Sequence, residues 1–87
     1  MTTIWKAELE PTELQEIEVP EGAEILSAAT QGAGICVWFR CEPSAPKEKR
    51  RIAMCGTGHP CPSDGRFIGT VLLVGGTLVF HIFEKQE

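Results

Sequence analysis

Apolar and polar residues alternate along most of this chain, and proline or glycine breaks the alternation at short intervals. A period of two sends successive side chains to opposite faces of an extended strand. A helix would instead need apolar residues at i, i+3, i+4 and i+7. No segment sustains that spacing. The strongest helical competitor, AELEPTELQEIE at residues 7–18, carries Pro11 inside it, where the ring clashes with the preceding turn and an N–H is missing. The pattern therefore predicts seven short strands, at 4–10, 14–20, 25–31, 35–41, 50–55, 66–74 and 77–84. Turns are predicted at EGAE (21–24), GAG (32–34) and GG (75–76), because glycine accepts a positive φ without steric cost. EPSAPKEK (42–49) and GTGHPCPSDG (56–65) read as loops. The expected fold class is all-β: a single domain over 1–87, built as a small antiparallel sandwich or partly closed barrel.

A chain of 87 residues buries only a thin core, which makes self-association an expected source of extra stability. No apolar run approaches the roughly 20 residues that span a bilayer. The opening MTTIWKAELEPTE has neither the basic start nor the apolar stretch of a secretory leader. A cytoplasmic setting is the resulting expectation, and free thiols are normal there. The net charge of −4 is unevenly spread: residues 1–39 carry seven Glu against Lys6, whereas residues 40–66 carry six Lys or Arg against three acids. The acidic total argues against binding along duplex nucleic acid, which needs a broad basic surface. The basic middle segment could still hold one small anion, and the acidic run reads as a solvated face.

CGTGHPCP at 55–62 concentrates the chemistry of the chain. Zinc is weighed first, since Cys36, Cys41, Cys55, Cys61 and His59 supply enough donors. Structural zinc sites usually draw on C-x2-4-C pairs, but here the spacings are C-x4-C along a strand and C-x5-C with a proline after the histidine. An odd separation of five also sends Cys36 and Cys41 to opposite faces. No metal or cofactor is expected. A catalytic Cys/His pair needs a third group to orient the imidazole, and no Asp or Asn is obviously placed to do so. No catalytic residue is assigned, and the cysteines can be read as small apolar packing residues.

A backbone cradle remains, weighed against a plain structural turn. Gly56 and Gly58 leave their N–H groups approachable, Thr57 adds a hydroxyl, and His59 adds a donor that responds near neutral pH. Arg50 and Arg51 precede this loop and Arg66 follows it, so cations flank a glycine-rich turn as a phosphate or carboxylate would require. Since strand residues alternate, at most one of Arg50 and Arg51 can share a face with the loop. In the fourth strand Ile35, Val37, Phe39 and Cys41 form the expected core face. Trp38 and Arg40 share the other, where they could clamp a planar anion or simply cover the sheet. In the last strand Leu78, Phe80 and Ile82 alternate with Val79, His81 and Phe83, so both faces are apolar enough for one to meet another subunit.

Taken together, IWK, VPEGAEIL, GTGHP, GRFIGT and GGTLVFHIFE resemble a family of very small, largely uncharacterised proteins encoded by tailed bacteriophages. The likeness runs over nearly the whole chain, and the cysteines lie outside the shared pattern. It implies an accessory protein acting in the host cytoplasm by binding rather than turnover. Two functions follow as expectations. One is a homo-oligomer that sequesters a small anionic ligand, a nucleotide or cyclic-nucleotide signal, as a counter to host defence. Its site would comprise Gly56, Thr57, Gly58 and His59, with Arg50, Arg51 or Arg66 on phosphate and Trp38 with Arg40 on a base. The other is a protein-binding module that inhibits a host protein or serves in the virion, with the acidic run Glu8 to Glu24 meeting a basic partner.

Overall fold

The computed structural model describes residues 1–86. It contains seven antiparallel-paired strands, β1 (Thr3–Leu9), β2 (Leu14–Pro20), β3 (Glu24–Gln31), β4 (Gly34–Cys41), β5 (Lys47–Gly56), β6 (Arg66–Leu73) and β7 (Leu78–Glu84). They form two sheets, a three-stranded one ordered β1-β4-β3 and a four-stranded one ordered β2-β5-β7-β6. The sheets face each other as a sandwich that does not close into a barrel, which settles the two architectures that the alternation left open. No helix among the described residues is long and apolar enough to cross a membrane.

The alternation explains the core. Ile35, Val37, Phe39 and Cys41 of β4 are all buried; with Ile25 of the neighbouring β3 they share one core with Val19, Ile52, Met54, Val71 and Ile82 of the other sheet. Burial of such side chains contributes about 1.5–3 kcal/mol each before entropy is counted. The turns use glycine where the backbone demands it. The tight turn from Pro20 to Ala23 has Gly22 at φ 80° and an Ala23 N–H to Pro20 C=O bond of 3.1 Å. These are the marks of a type II turn. Gln31 pairs with Gly34 across a two-residue hairpin whose first residue, Gly32, has φ 60°.

Most strand boundaries fall within one residue of the sequence reading, and the largest difference is at the start of β5. Residues 47–49 were expected in a loop, but β5 begins at Lys47. Lys47 pairs with Pro20 and Lys49 with Glu18 on the edge strand β2. Pairing to a strand distant in sequence overrides the polar, proline-flanked local signal.

The second difference is topological. β5 and β6 both pair antiparallel with β7, one on each side of it. They therefore run parallel to each other, and the 57–65 segment is a crossover rather than a simple loop. It lies on the outer face of the four-stranded sheet. Thr57 Oγ1 is 2.8 Å from His81 Nε2, and a Cβ on Gly65 would sit 3.1 Å from Phe83 Cβ.

Candidate functional site

At the end of β5 the chain turns through Gly56–His59. The His59 N–H donates to the Gly56 carbonyl at 3.0 Å, and Gly58 has φ 84°. Glycine at the third position of a type II turn is the local reason for the GTG sequence. Thr57 then anchors the turn to β7 through His81, whose other ring nitrogen lies 3.0 Å from Thr70 Oγ1. Two threonine hydroxyls thus hold both nitrogens of one imidazole. The alternation places His81 on the outer face of β7, and its partners are visible only in the fold.

Two hollows flank the crossover. The larger, an open groove of about 420 Å³, lies between the turn and the β1–β2 connection, with Leu14, Met54, Phe80 and Pro60 as apolar lining and Glu13, His59 and Lys85 as charged or titratable groups. The smaller, about 180 Å³, is lined by the turn together with Cys55, Cys61, His81 and Phe83. The far wall of the groove is fixed by Gln15, whose side chain accepts from Glu10 N–H and donates to Glu10 C=O at 3.0 and 2.7 Å.

Of the residues singled out from the sequence, Gly56, Thr57, Gly58 and His59 stand together at these hollows, and the arginines do not. Arg50 faces inward with Ile52 and Met54 and is hydrogen-bonded to the buried carboxylate of Glu84, while its Nη1 donates to Ala23 C=O at 2.9 Å. Glu84 first, and then Glu48, hold the Arg50 guanidinium more firmly charged than usual against its partial burial. Arg66 reaches the same carboxylate at 3.6 Å and donates to Ile25 C=O at 2.8 Å. Arg66 thus caps a carbonyl of β3, an edge strand, and Arg50 one in the turn that precedes it, so both tie the four-stranded sheet to this part of the other.

Arg51 lies on the opposite face of β5, across from Glu16. None of the three lines either hollow. The crossover explains this. It carries the chain back over β7, so Arg66 begins its strand beside Glu84 instead of beside the turn. Trp38 and Arg40 sit on the outer face of the other sheet, and Arg40 is paired with Glu24 rather than stacked on Trp38. The residues that sequence reasoning missed are Lys85, Glu13, Met54 and Phe80, brought to the groove by pairing between distant strands.

The cysteines divide as their positions dictate. Cys41 is in the core and Cys36 is buried on the opposite face of β4, as the odd spacing requires. Cys55 and Cys61 lie beside the turn. Burial, and then the neighbouring Cys61 thiol, push the Cys55 thiol above its ordinary value. A thiol raised in this way stays protonated, the reverse of what an activated nucleophile needs. Among the described residues, no three His, Cys, Asp or Glu side chains are grouped to hold a metal ion.

No curated protein and no solved structure matches this sequence. A family model described as a domain of unknown function, DUF7352, matches residues 1–87, and the chain belongs to that family.

Proposed function

We propose that this protein is a binding module without turnover. Its groove at the end of β5 takes a small ligand that combines a planar apolar part with an anionic group, as a nucleotide or cyclic nucleotide does. The observation that carries this reading is the groove itself. At about 420 Å³ it falls within the size range of small-molecule sites, and its apolar floor carries a few converging polar groups. Met54, Phe80 and Pro60 would hold the flat portion, and His59 and Lys85 the anion. Arg50 and Arg66 have no part in this version of the site, since Glu84 and the carbonyls of Ala23 and Ile25 engage them. Binding without chemistry agrees with a Cys55 thiol held protonated. The phage resemblance adds the role: sequestration of a host signal in the host cytoplasm by a self-associating protein.

Titration calorimetry with a panel of mononucleotides and cyclic nucleotides tests the reading. His59→Ala and Lys85→Ala are each expected to weaken binding by roughly tenfold or more, the scale of one charge-assisted hydrogen bond. Arg66→Ala should leave affinity unchanged once any loss of stability is allowed for. If no nucleotide binds at millimolar concentration, or if binding ignores both substitutions, the reading is wrong.

A protein-binding role has its own support. Phe67, Leu72, Val74 and Leu78 are exposed on the β6–β7 hairpin, and residues 67–83 contain no Asp, Glu, Lys or Arg. Capture of one stoichiometric host protein, abolished by Leu72→Asp, would favour it over the nucleotide reading.

A further inference from the structure

Cys55 and Cys61 are the two cysteines that the sandwich does not bury. Cys55 is half-buried at the end of β5, and Cys61 is exposed in the crossover. The turn at 56–59 folds the chain back so that both side chains line the same two hollows. Cys55 Sγ also donates to the His81 carbonyl at 3.7 Å, which fixes its thiol at the smaller of them. Cys36 and Cys41 offer no comparable pair, since they lie on opposite faces of one strand.

We propose that Cys55 and Cys61 form a thiol–disulfide exchange site, oxidised to an intramolecular disulfide by a small-molecule disulfide of the glutathione type. The Cys61 thiol loses its proton to solvent, and the thiolate attacks one sulfur of the reagent. A mixed disulfide forms and the first reagent thiolate leaves. Cys55 then loses its proton and attacks the Cys61 sulfur, which expels the second reagent thiolate. Both expelled thiolates take up protons. The protein loses two electrons and two protons, and the reagent takes up the same as two thiols.

The order of attack follows from the geometry. Cys61 is exposed and open to the reagent, while Cys55 is half-buried and lines the same two hollows. Its raised pKa makes it the slower attacker on a free reagent, so it takes the second, intramolecular step, for which it must first lose its proton and the target lies in the same hollow. The bridge ties the crossover to β5 and holds the turn between them closed. The exchange requires no ligand in the groove.

Trypsin provides a direct readout, because cleavage after Arg51 and Arg66 releases a peptide containing both of these cysteines and neither of the others. The reduced full chain is incubated with oxidised glutathione, quenched with iodoacetamide and digested. The 52–66 peptide is expected to lose two hydrogens and to resist alkylation until dithiothreitol restores both thiols. Bridging is expected to be faster in the folded chain than in urea, where only the short spacing favours it. Cys55→Ser should stop at one glutathionyl group on Cys61.

Three results overturn the proposal: a stable glutathione adduct on wild-type Cys61 with no bridge, oxidation confined to the two peptides that hold Cys36 (7–40) and Cys41 (41–47), or equal bridging rates in native buffer and urea. The wild-type mapping and the urea comparison decide the matter even if the serine variant does not fold.

Discussion

Glu84 is the carboxylate that two guanidinium groups share at one end of the core. Its side chain is 11% exposed, against 21% for Arg50 and 49% for Arg66. Removing its charge leaves half-buried Arg50 with only Glu48, at 3.2 Å, as an ionised partner, and losing one partner of a buried pair costs more than the pair itself is worth. Glu84→Gln is expected to lower stability by about 3 kcal/mol in urea unfolding, the lower end of what breaking a buried pair costs. Arg66→Ala should cost less, because half of that side chain already meets water.

Cys55 gives a second expectation at this scale. Its thiol pKa is raised in the folded state, by burial first and then by Cys61. The folded chain therefore binds the thiol proton more tightly than the unfolded chain does. The associated stability is complete below the ordinary thiol pKa and is lost as pH rises through the elevated folded value. Stability measured across the alkaline range should fall along this window, and Cys55→Ser should flatten the slope.

At the level of elements, the β3–β6 contact holds one side of the sandwich shut. β3 and β6 are edge strands of different sheets, and Gly69 lets their backbones approach closely. A Cβ at Gly69 would lie 3.0 Å from the Ala28 carbonyl oxygen and 3.2 Å from its nitrogen. Neither atom can rotate aside, so the strands must separate. Gly69→Ala is expected to cost about 2 kcal/mol, the middle of the range for overpacking. Protection from amide exchange should fall first in β3 and β6.

The β6–β7 turn stores strain of the opposite sign. Val74 has φ 52°, a region that β-branched residues avoid, and it is 71% exposed, so little packing compensates. Asparagine tolerates that conformation. Val74→Asn is expected to raise stability by about 1 kcal/mol in chemical denaturation, a fraction of the penalty for a left-handed non-glycine residue.

For the molecule as a whole, the uneven charge along the chain is partly cancelled by strand pairing. Glu16 faces Arg51 and Glu18 faces Lys49 across β2 and β5, while Glu24 faces Arg40 across β3 and β4. Three of the seven glutamates in residues 1–39 thus face cations of the middle segment, while Arg50 and Arg66 of that segment pair with Glu84. Pairs of this exposed kind contribute little each and are screened by salt. Raising sodium chloride from low to molar concentration is expected to shift the thermal midpoint by no more than about 5 °C. Duplex DNA should not retain the protein at any salt concentration. The molecule is also thin, with extents of 39 × 29 × 16 Å, so one layer of side chains between two sheets forms the entire core.

The seven strands, their turns and the inward residues of β4 were legible in the sequence, because alternation and glycine placement are local signals. The Gly56–His59 turn was legible for the same reason. The crossover was not, since nothing within residues 56–65 states that the following strand lies on the far side of β7. That single fact removed Arg50 and Arg66 from the loop and joined them to Glu84. The start of β5 at Lys47 likewise depended on a partner strand some 30 positions away in sequence. The sequence by itself determined which segments are extended and which side chains can share a face, because a strand's period of two is a property of the backbone. Only the tertiary structure decided which charges neutralise one another and which residues meet at the groove, because those contacts depend on the order of strands in the sheets.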